Sequence, residues 1–179
     1  MDTDADADSD VCARCGRQSG SCCTLVPGQE EYCFPLSAGE RAVMEKSGAK
    51  PEHFFRQANT RAFVENISRL FPDEVDCIKN LFPEGGFHDR LAITPEGACT
   101  LLGGAGCMLP RQARPFYCLL YPFWIRRGRE LYFESSLCKA QLEAGGGGAG
   151  LMRRLRMTSA DIRYTYLELR KAWGLPEQR

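Results

Sequence analysis

Apolar positions along the chain follow a helical period in some stretches and a strand-like pattern in others. Ser37-Ala38-Gly39-Glu40 has the form of a capping box and predicts a short helix to about Lys46, stopped by Gly48. Phe54, Phe55, Ala58, Ala62, Phe63, Ile67, Leu70 and Phe71 recur at helical spacing. They predict one long helix from Pro51 to about Leu70, ended by Pro72, with that stripe facing a core. Asp73 is placed to cap a third helix, Glu74 to Leu81, with Val75, Ile78 and Leu81 inward. Ser159 similarly predicts a last helix to about Trp173, with Ile162, Tyr166, Leu169 and Trp173 on one face and Gly174 at its end.

Between these helices the period changes. Residues 83–90 read as a loop carrying His88. Leu91 to Thr94 and Ala98 to Leu102, around Pro95-Glu96-Gly97, predict a hairpin. Phe123 to Arg127 and Glu130 to Glu134, around Gly128-Arg129, predict a second one. Residues 144–150 read as a flexible glycine-rich loop, and 151–157 as a short basic helix. The glycines lack the spacing of a phosphate-binding loop. The fold class expected is α+β: a small helical domain with one or two β-hairpins. Residues 1–11, with Asp at every even position from 2 to 10, are expected to be a disordered acidic tail ahead of a single domain, 12–179.

Composition narrows the function. Lys and Arg number 23 and balance 23 Asp and Glu, so charge gives no reason to expect a nucleic-acid partner. No apolar run approaches the roughly 20 residues needed to span a bilayer. The amino end lacks the apolar stretch of a secretory signal. A cytoplasmic protein, without membrane or nucleic-acid partners, is therefore the expectation.

The chain has 10 cysteines, at 12, 15, 22, 23, 33, 77, 99, 107, 118 and 138. In a reducing compartment, clustered cysteines point to metal binding or catalysis rather than structural disulfides. A disulfide-rich exported domain is disfavoured by the missing signal. Cys33 and Cys77 are far from the other sulfurs in sequence and read as small buried hydrophobes. The other eight form an amino-terminal set (Cys12, Cys15, Cys22, Cys23) and a later set (Cys99, Cys107, Cys118, Cys138). Cys12 and Cys15 have the C-x2-C spacing that presents two sulfurs to one ion, in what reads as a tight loop. Gly103, Gly104 and Gly106 make a turn that folds Cys99 and Cys107 back together.

Pro115 fits the first turn of a helix, which places Cys118 in that turn. The helix dipole and Arg114 are expected to lower its pKa. Arg111, Arg114, Arg126 and Arg127 are close enough in sequence to offset the charge of several thiolates around an ion, with Arg114 packing behind the helix. His53 and His88 are weaker ligand candidates. No Ser-His-Asp, H-E-x2-H or paired-carboxylate arrangement is visible, so no catalytic residue is assigned.

CARCG followed by CC, then C-x7-C-x6-RPxxC-x3-P and a further Cys, resembles the YkgJ-type cysteine-cluster proteins. The resemblance covers Cys12 to about Cys138. It implies a domain that chelates zinc or iron through these eight cysteines. The family usually has one residue between the Gly and the CC pair, whereas Arg17 to Ser21 intervene here, which leaves open which of Cys22 and Cys23 ligates. The cluster is also similar to that of bacterial flagellin lysine methylases, which implies the alternative of an iron–sulfur cluster enzyme. No methyl-donor nucleotide fingerprint accompanies it, and the C-x2-C-x2-C-x3-C-P run of bacterial ferredoxins is absent.

Overall fold

The computed structural model of the chain describes residues 11–16 and 22–177, with only the backbone of Cys12 and Ala13. Among the described residues the fold is α+β, with eight α-helices and three antiparallel strand pairs. Residues 1–10 of the expected acidic tail lie outside the described residues. Val11 does not belong to a tail: it is 4% exposed, joins the core and opens a helix, α1, Val11–Gly16. The loop expected at Cys12–Cys15 is thus helical.

The Ser37 capping box is present: Ser37 Oγ accepts from Glu40 N–H, and the Glu40 carboxylate accepts from Ser37 N–H. It opens α2, Ala38–Lys46. The long helix expected over 51–70 is two elements. Residues 51–53 form a 3-10 turn, Phe54–Ala58 is a strand, β1, and Arg61–Leu70 is α3. Thr60 ends the strand and caps the helix, its hydroxyl accepting from Phe63 N–H at 3.2 Å. Helix α4, Val75–Leu81, follows with Glu74 rather than Asp73 at its N-cap. Asp73 instead pairs with Arg127 on the surface.

The loop expected at 83–90 is partly strand. β2, Phe87–Leu91, pairs antiparallel with β1, from Phe54 opposite Leu91 to Ala58 opposite Phe87. The hairpin around Pro95 is present as a narrow turn in which Ile93 bridges Cys99. Beyond it β3, Leu102–Gly103, and β4, Gly106–Cys107, fold back through the glycine turn, with Leu102 opposite Cys107. Phe116–Leu120 is α5, with Pro115 at its N-cap. β5, Phe123–Arg126, and β6, Arg129–Tyr132, form the second expected hairpin. Its turn is Arg127-Gly128, one residue earlier than expected, and both have positive φ, as a type I′ turn requires.

Cys138 caps α6, Lys139–Glu143. The glycine-rich loop is shorter than expected, because Gly148 already begins α7, Gly148–Leu155. The last helix is α8, Ser159–Ala172. Its cap is Thr158, in a capping box with Asp161, rather than Ser159. The inward face is the one expected, with Ile162, Tyr166, Leu169 and Trp173 all buried.

Two apolar clusters result. The larger gathers Phe63, Ile67, Phe71, Trp124, Ile162, Tyr166 and Leu169, with Cys77, Phe34 and Tyr117 against it. The smaller holds Leu36, Met44, Ala49, Leu101 and Leu109, with Leu91, Cys99 and Cys107 against it. A charged pair packs against the larger cluster, with the Arg170 guanidinium over the Phe71 and Tyr166 rings. Arg170, 2% exposed, donates to both carboxylate oxygens of Glu74 at 2.6 Å and to the Pro176 carbonyl at 2.7 Å. No helix is long and apolar enough to cross a membrane among the described residues.

Candidate metal centre

The amino-terminal segment reaches the later cysteines through backbone contacts. Gly16 lies so close to Gly106 that a Cβ on it would stand 3.0 Å from the Gly106 Cα. Arg14 makes a paired contact with Glu143 of α6, at 2.9 and 3.0 Å. Thr24 then bridges Ala98, with Leu25 N–H donating to the Gly97 carbonyl and Cys99 N–H to the Cys23 carbonyl, both at 2.8 Å. Gly97 is required here: its φ is +87°, and a Cβ would stand 1.9 Å from the Leu25 carbonyl oxygen.

The bridge between Thr24 and Ala98 borders an open-sided pocket of about 280 Å3 between the two apolar clusters. Phe34 and Tyr117 form its wall on the larger cluster, Leu36 and Leu91 on the smaller. Cys22, Cys23, Cys33, Cys99 and Cys118 line it. It therefore draws on both cysteine sets. It also includes Cys33, which the sequence assigned to the core. The only sequence signal for Cys33 was its content of sulfur; a distant pairing, Leu36 N–H to the Asp89 carbonyl at 2.7 Å, sets the course of its segment.

Cys118 stands on the first turn of α5. The expected lowering of its pKa is reversed. Its side chain opens onto the pocket, yet the protein around the sulfur leaves little water to solvate a thiolate, and its pKa is raised well above the usual thiol value. The thiols of Cys99, Cys23 and Cys107 and the Glu40 carboxylate push it the same way. Burial likewise pushes Cys99 up to about 12, against a lowering contact from the Leu101 backbone and with Cys23, Cys107 and Cys33 adding to the rise. Burial raises Cys33 too. A helix of five residues has too small a dipole to outweigh this desolvation.

The arginines expected near the sulfurs serve elsewhere. Arg114 Nε donates to the Leu109 carbonyl at 3.1 Å, a packing role. Arg127 pairs with Asp73, and Arg111 and Arg126 are exposed.

Cys15 and Cys138 lie near Tyr121, which also lines the pocket. Burial pushes its phenol up to about 12, with Cys22, Cys138 and Cys15 contributing and Ser135 opposing. Cys15 is buried, and Cys138 packs against the larger cluster at the start of α6. The side chain of Cys12 lies outside the described residues. Among the described residues no group of three or more His, Cys, Asp or Glu forms a ready-made cage for an ion. The donor chemistry nonetheless fits a soft or borderline metal: sulfur donors from two segments, an apolar wall and few competing polar groups.

His88 is not part of this group. It is buried on β2, stacked on Phe63 at 3.9 Å between ring centroids, and its Nδ1 donates to Asn59 Oδ1 at 2.7 Å. Asn59 is oriented for this, since its amide nitrogen donates to the Pro83 carbonyl at 2.9 Å. Burial, reinforced by Arg90, lowers the His88 pKa to about 4. His53 sits in the 3-10 turn, where Nδ1 accepts from Lys50 N–H at 3.0 Å.

In comparisons with known proteins, the chain matches no family model, no curated protein and no solved structure.

Proposed function

We propose that this chain is a metal-binding protein that takes zinc or iron through clustered cysteine thiolates. The observation that carries this reading is the meeting of Cys22 and Cys23 with Cys99 and Cys118 around one apolar pocket, with Cys107 beside them. Four such thiols are the donor set of a tetrahedral sulfur site. Cys12, Cys15 and Cys138 are assigned to the same chemistry by their family resemblance. Cys33 joins the proposal by its position in the pocket wall.

An iron–sulfur cluster with a redox or transferase role is the second reading. The number of thiols favours keeping it, because Cys22, Cys23, Cys33, Cys99 and Cys118 all line the pocket and a single tetrahedral ion takes only four ligands. In either case the bound metal would supply charge to stabilise the thiolates. The chain supplies the sulfur donors and excludes water with Phe34, Tyr117 and Leu91.

The deciding experiment is metal analysis and a visible spectrum of protein purified without oxygen. Zinc gives a colourless protein with a defined stoichiometry; an iron–sulfur cluster gives a brown one. Cys118→Ser and Cys107→Ser should each lower metal content and loosen the fold, since thiolate–metal bonding is coupled to folding. Cys77→Ser should keep the metal. No metal in protein from metal-replete cells would overturn both readings.

A further inference from the structure

The bridge between Thr24 and Ala98 fixes the positions of two thiols. Its two hydrogen bonds, Leu25 N–H to Gly97 and Cys99 N–H to Cys23, flank the 24/98 pair. The next residues outward, Cys23 and Cys99, are therefore directly opposed. One hydrogen bond, Cys99 N–H to the Cys23 carbonyl, joins the two residues where the bridge runs into the turn at Cys23, and opposed residues beside an antiparallel bridge have Cα atoms about 4.5–5.5 Å apart. That lies within the roughly 4.4–6.8 Å a disulfide spans. Both side chains line the same pocket. The register cannot slip, because Ile93 bridges Cys99 from the other side and Gly97 is seated under the Leu25 carbonyl.

We propose that Cys23 and Cys99 form a reversible disulfide, with a small disulfide such as oxidised glutathione as the oxidant. One cysteine thiolate attacks the oxidant's S–S bond, forming a mixed disulfide and expelling one glutathione thiolate. The other cysteine then attacks the protein sulfur of that bond and expels the second glutathione. The two cysteines lose two protons and two electrons, and the oxidant becomes two glutathione thiols. Cys22 also lines the pocket, but it is Cys23 whose carbonyl accepts from Cys99 N–H and which is thereby brought opposite Cys99. Closing the bond would also withdraw two of the proposed ligands; this consequence alone rests on the metal-binding reading.

The test uses the full chain, reduced and stripped with a chelator, equilibrated in a glutathione redox buffer, alkylated and mapped by mass spectrometry. The expected result is a loss of two hydrogens, a Cys23–Cys99 link in the fragment ions, and its reversal by dithiothreitol. Cys23→Ser and Cys99→Ser should each reduce intramolecular linking by about tenfold, and Cys33→Ser should leave it. A link that instead joins Cys22, Cys33 or Cys118, or glutathione adducts with no internal bond, would overturn the proposal; the wild-type map decides this even if a variant unfolds. Metal content of the reduced chain is measured in parallel. Bound metal without the disulfide defeats this inference alone, and a disulfide without bound metal defeats only the metal reading.

Discussion

The buried carboxylate of Glu40 accepts a hydrogen bond of 2.9 Å from the backbone N–H of Phe116, 76 residues away in the chain. Its other oxygen accepts from Ser37 N–H and Ser37 Oγ, at 2.9 and 2.6 Å. One side chain thus closes the capping box of α2 and anchors the first turn of α5, which carries Cys118. Glu40→Ala leaves two backbone N–H groups without their acceptor and should destabilise the chain by about 2 kcal/mol. Urea unfolding measures this. Glu40→Gln keeps an acceptor at one end only and should fall between the two; an unchanged midpoint in Glu40→Ala would remove Glu40 from this role.

Gly97→Ala should open the pocket from its edge. The added Cβ collides with the Leu25 carbonyl oxygen, and the left-handed backbone adds strain of order 1–3 kcal/mol. Hydrogen exchange at the Leu25 and Cys99 amides should accelerate. Gly104→Ala, where a Cβ meets nothing within 4 Å, is the control and should leave both amides protected.

Arg170→Ala should lower stability by about 3–5 kcal/mol, because the buried side of Glu74 then has no cation. Thermal unfolding checks it. A loss below about 1 kcal/mol would mean that the pair behaves as a surface ion pair.

The chain should lose stability as pH falls from about 6.5 towards 4. His88 has its folded pKa near 4, below the ordinary value of 6.5 expected once unfolded. In that window the unfolded chain binds a proton that the folded chain does not, so acid favours unfolding. The full step amounts to about 3 kcal/mol, complete below the folded pKa and absent above 6.5. His88→Phe should flatten the pH dependence of the urea midpoint between pH 5 and 6.5; an unaltered slope would contradict this.

Local signals in the sequence were legible and distant ones were not. The Ser37 capping box, the inward face of α8 and the hairpin of β5 and β6 each depend on residues a few positions apart; the first two are where expected and the hairpin's turn is shifted by one residue. The misreading of 51–70 has a specific cause. Phe54, Phe55 and Ala58 satisfy a helical period by coincidence with the stripe of α3, while the strand's partner, β2, lies beyond two helices. Thr60 carried the correct boundary. The position of Cys33 was hidden for the same reason, since its neighbours in the pocket come from segments far along the chain. The α+β class was legible; the surroundings of Cys118 were not, because burial depends on what packs around a sulfur.

The close approach of Gly16 to Gly106 and the hydrogen bond from Cys99 N–H to the Cys23 carbonyl hold the amino-terminal segment at two separate points. Damage to one therefore leaves the other in place: a side chain at position 16 would press on the Gly106 Cα and on Leu102, not on the bridge between Thr24 and Ala98.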